Sequence, residues 1–413
     1  MRPIAAAAIL RLQGLVLGGV LGAEPLALSS LPTPAEVSLE PVADVASLAA
    51  RWRALEAEAD GGFFRGWCFV SHQAARFSDP HLLAITRGGQ DLGLAVLNRS
   101  GGRFYLNETG DAALDAIFVE HNGVLLRPGA EAYLAQALAL ASARAPLVLS
   151  GVDAAHREAA LLAGLTLRRD AQPDPALRLQ ALSGPYLESL SANARAQIRR
   201  AMRLCGPGLA LTRAEDIDTA RRWFAEMVAL HERAWRARGK PGAFPGPAIT
   251  GFHDRLLRDA VPRGEADLLR IAAGTETIGY LYNFRHGGRV YCYQSGFPGF
   301  TDARMKPGLV SHTLAVEHYR AMGLQVYDLL AGPARYKATL VPAGAQAGGG
   351  TATLYWLTLF ARGSWRQRAA FAGARAWQWA RVQAARLKPQ LALSWGRAYG
   401  RRVSTLAVPP PDD

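Results

Sequence analysis

Four stretches of this chain carry side chains of types and spacings that could do chemistry. In the first, Ser191 to Arg203, Arg195, Arg199 and Arg203 fall at i, i+4 and i+8 on one helix face, with Arg200 beside them. That stretch contains no acid, so the face suits phosphates or carboxylates, although such a charge run also reads as a solvated face. In the second, strand alternation puts Tyr280, Tyr282 and Phe284 on one face, and Tyr291, Tyr293 and Ser295 on one face of the next strand. A phenol beside a carbonyl can donate a proton to a leaving group. The competing reading is an aromatic core face. In the third, Arg304-Met305-Lys306-Pro307-Gly308-Leu309 opens a helix, where free N–H groups, the helix dipole and Lys306 make an anion site. The fourth places Tyr327-Asp328 at a polar strand end close to Arg335 and Lys337.

Other chemistries are excluded. The nine histidines are scattered, and His312 and His318 share a helix at a spacing of six, which does not face one ion. There is no HExxH, so no metal site is expected, and GxSxG and Walker A patterns are missing too. Cys68, Cys205 and Cys292 are odd in number and far apart, which argues against disulfides and zinc and fits a reduced cytoplasm. The net charge of +13 over 413 residues favours polyanionic partners, or records an Arg-rich composition.

These residues need elements to hold them. Residues 1–37 read as a disordered leader and linker. A first αβ region, 38–181, holds a helix around Trp52 and Leu55, strands at 81–87, 93–98 and 103–107, a helix at 130–143, a strand at 146–151 and a helix at 154–163. A second, 182–356, holds helices at 191–204, 217–237 and 249–259, strands at 209–213, 266–273, 277–285 and 289–295, a helix at 308–322, and strands at 326–331 and 351–357. Meander, helix, strand recurs in both. Residues 357–413 form a basic tail with interleaved tryptophans, suited to an anionic membrane surface or RNA.

In this order, LSANARAQIRRAMR (190–203), LHERAWRARGKPGAF (230–244), IGYLYNF (278–284), YCYQSGF (291–297), KPGLVSH (306–312) and YDLLAGPARYKATL (327–340) resemble the FemAB-related GNAT acyltransferases, in particular the cellulose-biosynthesis-associated branch. GDAALDAIFVEHNGVLL (110–126) extends the likeness into the first region. The resemblance implies an α/β (α+β) fold of tandem GNAT-like domains, each a mixed, mostly antiparallel sheet flanked by helices, the first a degenerate copy and the second catalytic. It implies a cytoplasmic enzyme that moves an acetyl or other acyl group from acyl-CoA to an amine or hydroxyl of a small molecule or glycan precursor in envelope polysaccharide synthesis, and the basic tail adds membrane association as a further expectation. Pyrophosphate would sit at Lys306, Pro307, Gly308 and Leu309, where RMKPGL stands in place of the family's Q/R-x-x-G-x-G/A. On that chemistry His231 is the expected base, with Asp328 second, and Tyr293 or Tyr282 protonates the thiolate. Arg195, Arg199, Arg200, Arg335 and Lys337 would hold an acidic acceptor. Two alternatives stand beside this reading: a Fem-type transferase fed by aminoacyl-tRNA, and a non-catalytic accessory of a polysaccharide machine.

Overall fold

The computed structural model describes residues 34–59, 61–342 and 349–387, with side chains to residue 381. The expected leader, apart from its last residues, and the tail beyond 387 lie outside the described residues. The first half contains strand β1 (Glu36–Pro41), helices α1 (Ala49–Glu56) and α2 (Trp67–Ala74), and strands β2 (Pro80–Arg87), β3 (Gln90–Ser100), β4 (Arg103–Leu106) and β5 (Leu125–Leu126). Helix α3 (Leu134–Arg144), strand β6 (Leu147–Val152), helix α4 (Ala154–Ala163) and the long strand β7 (Leu165–Arg178) follow. The second half adds α5 (Tyr186–Ser189), α6 (Ala192–Cys205), β8 (Leu209–Arg213), α7 (Ile217–Ala237) and α8 (Pro247–Ala260). It continues with β9 (Ala266–Ala273), β10 (Glu276–His286), β11 (Arg289–Gly296), α9 (Pro307–Ala321), β12 (Val326–Asp328), α10 (Arg335–Leu340), β13 (Gly349–Phe360) and α11 (Trp365–Leu387).

Local chemistry sets these boundaries. Asp153, Ser191 and Asp216 cap α4, α6 and α7 by accepting the N–H of His156, Ala194 and Thr219. Pro247 and Pro307 open α8 and α9. Gly287 and Gly288, both at positive φ, close the β10–β11 hairpin, a conformation that favours glycine.

All thirteen strands join one sheet in the order β1-β2-β3-β4-β6-β13-β7-β12-β11-β10-β9-β8, with β5 paired to β3. The same plan occurs twice. A meander (β2–β3–β4, then β9–β10–β11) leads through a helix to a strand that pairs in parallel with the last meander strand. Each parallel pairing is short: β4 meets β6 at Phe104 and Tyr105, and β11 meets β12 only as far as Tyr291 opposite Asp328.

The strand expected at 351–357 does not complete the second half. As β13 it crosses back, pairing β6 through Tyr355–Leu359 and β7 along its whole length. β7 and β13 together cover the edges that β6 and β12 would otherwise expose. β7, β1 and α2 were not foreseen. Prolines at 173 and 175 argue against a strand, yet their carbonyls accept from Gly332 and Leu329 N–H. From Ala35 onward the described chain is one compact unit.

The halves also share a core. Phe63, Phe64 and Phe69 of the first pack with Phe252, Tyr282, Phe284, Tyr291 and Tyr293 of the second. Phe63 stacks on Phe284 with ring centroids 4.1 Å apart. On the other sheet face α6 and α9 pack over Leu281, Val290 and Tyr327. No helix among the described residues is long and apolar enough to cross a membrane.

Because Phe63 belongs to both halves, Phe63→Ala should cost about 3–5 kcal/mol. Urea unfolding followed by far-UV circular dichroism and by tryptophan fluorescence should give one coincident transition that moves as a whole. Two transitions, one unmoved, would refute the shared core.

Candidate active site

The chemistry gathers where β11 and β12 part. Asp328, the last residue of β12, is fully buried. Its Oδ1 accepts the Leu330 N–H at 2.8 Å, and its Oδ2 accepts from Arg289 Nη1 at 2.6 Å. His121 reaches in from the first half, with Nε2 3.1 Å from that same Oδ2 and 3.3 Å from Asp174 Oδ2 on β7. Glu120 Oε2 accepts the Ala331 N–H at 2.5 Å. Lys337 of α10 turns inward and donates from Nζ to the carbonyls of Leu330 and Ala331 at 2.9 and 2.7 Å. Three acids thus face three bases.

Two residues are held in the left-handed backbone region to make this arrangement, His121 at φ 52° and Leu330 at φ 60°. Such conformations persist when their surroundings hold them, and they concentrate at functional sites. The His121 carbonyl accepts from Arg65 Nε at 2.9 Å, and Arg65 is fixed in turn by Asp153 at 2.7 Å.

Burial and mutual charge set the protonation states. Burial works to raise Asp328, but His121, Arg289 and the Leu330 N–H outweigh it and hold the carboxyl well below its ordinary value. Burial and the Asp328 charge push Asp174 up to about 7. Burial likewise raises Glu120 to about 7 against the Ala331 N–H and Lys337. Burial lowers His121, yet Asp328 and Asp174 prevail and its pKa is raised. Lys337 is lowered, chiefly by burial. Asp174 and Glu120 are thereby brought toward neutrality while Asp328 keeps its charge. His121 is the opening of the trio to the outside, 19% exposed against 2% for Asp174 and 0% for Asp328.

His121, Asp174 and Asp328 can each offer a ligand atom within 4.8 Å of the others, so the fold assembles a His/Asp cluster that sequence spacing did not suggest. Arg289 holds one Asp328 oxygen, Oδ2, at 2.6 Å.

The expected site residues fare differently. Asp328 and Lys337 join the cluster. His231, the expected base, has both ring nitrogens engaged: its Nδ1 lies 2.9 Å from Ser295 O and its Nε2 accepts the Ala243 N–H at 3.0 Å. Both nitrogens are therefore spent on backbone, and the ring ties α7 to β11 and to the loop before α8. Tyr282 and Tyr293 are sealed in the shared aromatic core and do not reach a leaving group. The Tyr282 hydroxyl is 3.4 Å from His253 Nδ1, and the Tyr293 ring packs against Phe64 and Phe284. Burial raises both phenols far above their usual range.

Lys306 is exposed just before Pro307, and no side chain caps α9 there. Gly308 faces Phe297, and Leu309 is buried beneath. The arginine face of α6 is partly balanced from outside its own run. Arg199 pairs with Glu188 of α5, and Arg195 lies 3.7 Å from the same carboxylate. Arg200 and Arg335 are exposed. The arginines of α6 and the Lys337 ammonium have different partners and do not form one pocket.

Sequence reasoning missed Glu120, His121 and Asp174. The available signal was the pair Glu120-His121 before Asn122-Gly123 in a stretch already marked by resemblance. Asp174, between two prolines, gave none.

Comparison with known proteins agrees with this architecture. Residues 192–338 match a family model described as an acetyltransferase (GNAT) domain. The structure is similar to FemX, at 10% identity over 76% of this chain and 96% of that one, with a TM-score of 0.51. Residues 192–338 thus carry a GNAT-type domain, and the fold of the described chain is similar to that of FemX. Other similar structures are L-PGS from Bacillus licheniformis (10% identity, 80% of this chain and 96% of that one, TM-score 0.48) and a tandem GNAT protein from the clavulanic acid biosynthesis pathway (15%, 78% and 98%, 0.42). No curated protein matches the chain. The GNAT domain makes this chain a transferase. The matched stretch contains Arg289, Asp328 and Lys337 but not Glu120, His121 or Asp174. Half of the cluster is thus supplied from outside the domain.

The raised Asp174 carboxyl gives a pH signature. Its folded value, about 7, exceeds the ordinary value of about 3.9. Its stabilisation is therefore complete below the unfolded pKa and is lost as pH rises through 7. Asp174→Asn imitates the protonated form. It should stabilise the chain by about 2–4 kcal/mol at pH 8.5, with the gain shrinking as pH falls and vanishing only below the unfolded value of about 4, measured as Tm against pH. A gain independent of pH would contradict the assignment.

Proposed function

We propose that this chain transfers an acyl group from an activated carboxyl to an amine or hydroxyl acceptor, at the cluster between its two halves. The observation that carries this reading is the His121–Asp328 pair, 3.1 Å apart at the point where the parallel strands of a GNAT-like sheet separate. With Nε2 turned to the carboxylates, Nδ1 is left to take the acceptor's proton as the acceptor attacks the carbonyl. Asp328 then stabilises the imidazolium. Asp174, titrating near neutrality, can return a proton to the departing oxygen or sulfur.

Two donors are compatible with the fold. An acyl-CoA would set its pyrophosphate at the start of α9, beside exposed Lys306. Its arm would then need the edge of β11 beyond Tyr291. There Phe63 and Phe64 pack against Tyr291 and Tyr293, and Phe64 lies edge-on to Tyr291. An aminoacyl ester of tRNA needs no slot for a pantetheine arm, and a chain of net charge +13 suits its phosphate backbone. These observations favour the aminoacyl-tRNA donor. Acyl-CoA is the second reading, supported by the uncapped α9 end. The acceptor we propose is a precursor of the cell envelope or of an exopolysaccharide, which rests on the resemblance of residues 182–340.

Calorimetric titration of the full chain with charged tRNA and with acetyl-CoA separates the donors. Micromolar binding of charged tRNA alone supports the preferred reading. Binding of acetyl-CoA alone, lost in Lys306→Glu, selects the second, and binding of neither removes both. In either positive case His121→Ala should lower turnover by about 10²–10⁴-fold without abolishing donor binding. Wild-type turnover should rise with pH as His121, its pKa raised, gives up its proton, and fall again as Asp174 loses the proton the leaving group needs.

A further inference from the structure

Helix α11 leaves the sheet after β13 and touches the body through one stripe. Gln367 Nε2 donates to Ser142 O at 2.8 Å, the Phe371 and Phe360 rings lie 5.7 Å apart, and Gln378 Nε2 donates to Arg168 O at 3.0 Å. With half-buried Ala374, these positions follow helical spacing. The opposite face consists of Trp365, Ala369, Ala372, Gly373, Ala376 and Ala380, all exposed. Trp379 stands beside this strip, 67% exposed. Arg366 and Trp377 flank it on one side, and Arg368 and Arg375 on the other.

This reverses the polarity of an ordinary surface helix, whose apolar face turns to the core. Here two glutamines hold the helix to the body while tryptophan and alanine point away from it. Exposed apolar surface of this kind, edged by polar residues, marks an interaction site. From Trp365 to Leu387 the helix carries five arginines and no Asp or Glu, so the surface it meets is negative. The arrangement also distinguishes between anions. RNA is bound by cations along a groove with bases stacked on aromatic rings. In α11 the centre of the outward face is narrow and apolar, and the arginines sit at its margins. From there their stems can lie along hydrocarbon while the guanidinium groups reach headgroup phosphates.

We propose that α11 docks this protein flat on an anionic lipid bilayer, with the Trp365–Ala369–Ala372–Ala376–Ala380 strip and Trp379 in the interface and the flanking arginines at the headgroups. The inference is independent of the donor and of the active-site chemistry. It would place the enzyme's work at a membrane surface.

The test is flotation of the full chain with vesicles of phosphatidylcholine, with and without a third of phosphatidylglycerol. Trp395 and further arginines follow beyond residue 387, so substitutions confined to α11 are the discriminating arm. Wild type should float with the anionic vesicles only, and less at high salt. Trp365→Ser/Trp379→Ser should lower partitioning by about tenfold or more, and Arg368→Glu/Arg375→Glu should lower it as strongly. The variants should stay within a few degrees of the wild-type Tm, since Trp365 and Trp379 are largely exposed and the contacts of Arg368 with the Arg362 carbonyl and of Arg375 with the Phe371 ring lie at the surface. Flotation unchanged by the α11 substitutions would overturn the proposal. So would the lack of any flotation, a loss of RNA binding in these variants without vesicle binding, or a shift from dimer to monomer seen by sedimentation.

Discussion

A carboxylate with no exposed surface has to be matched by charge and hydrogen bonds, and Asp328 imposes that constraint on both halves of the molecule. Arg289, from the start of the neighbouring strand, supplies one partner, and the Leu330 N–H supplies another. The third, His121, has to come from a loop more than two hundred residues earlier, and it arrives in a left-handed backbone conformation. Removing one member of such a group leaves a buried charge uncompensated. The arrangement therefore fixes where the first half sits on the second, and the reactive groups are defined only when both are present.

The sheet and the aromatic core serve the same end. β7 carries Asp174 to the cluster, and β13 returns across it to β6, so neither half has a free sheet edge at the junction. On the other side of the site, Phe63 and Phe64 cover the tyrosines of β11. A repeated GNAT-like plan has become a single body in which one copy completes the other's site. Close approaches maintain the geometry: a Cβ on Gly296 would lie 2.4 Å from the Met227 carbonyl, so α7 can press against β11 only where that residue is glycine.

Local patterns were legible wherever one element buries one face. Helix α7 and strands β8 and β9 fall where periodicity and turn residues place them. β7 was hidden because Pro173 and Pro175 interrupt its pattern, and its neighbours in the sheet come from distant parts of the chain. The same limit governs the site. Asp328 and Lys337 are near each other in sequence and were marked. Glu120, His121 and Asp174 come from two other segments; the first two lie in a stretch marked only by resemblance, and nothing local distinguishes Asp174. His231 and the tyrosines have the right chemistry, but backbone engages both nitrogens of the histidine, and the phenols lie inside an aromatic core.

The central claim is that His121 and Asp328 form one charged unit across the junction. Labelling the histidine rings with nitrogen-15 and following their NMR shifts with pH tests it directly, with the His121 signal identified by its loss in His121→Gln. The account predicts a His121 pKa above the ordinary value of about 6.5 that falls below it in Asp328→Asn, as burial acts with less opposition. A value at or below the ordinary one in the wild type, unmoved by that substitution, would contradict it.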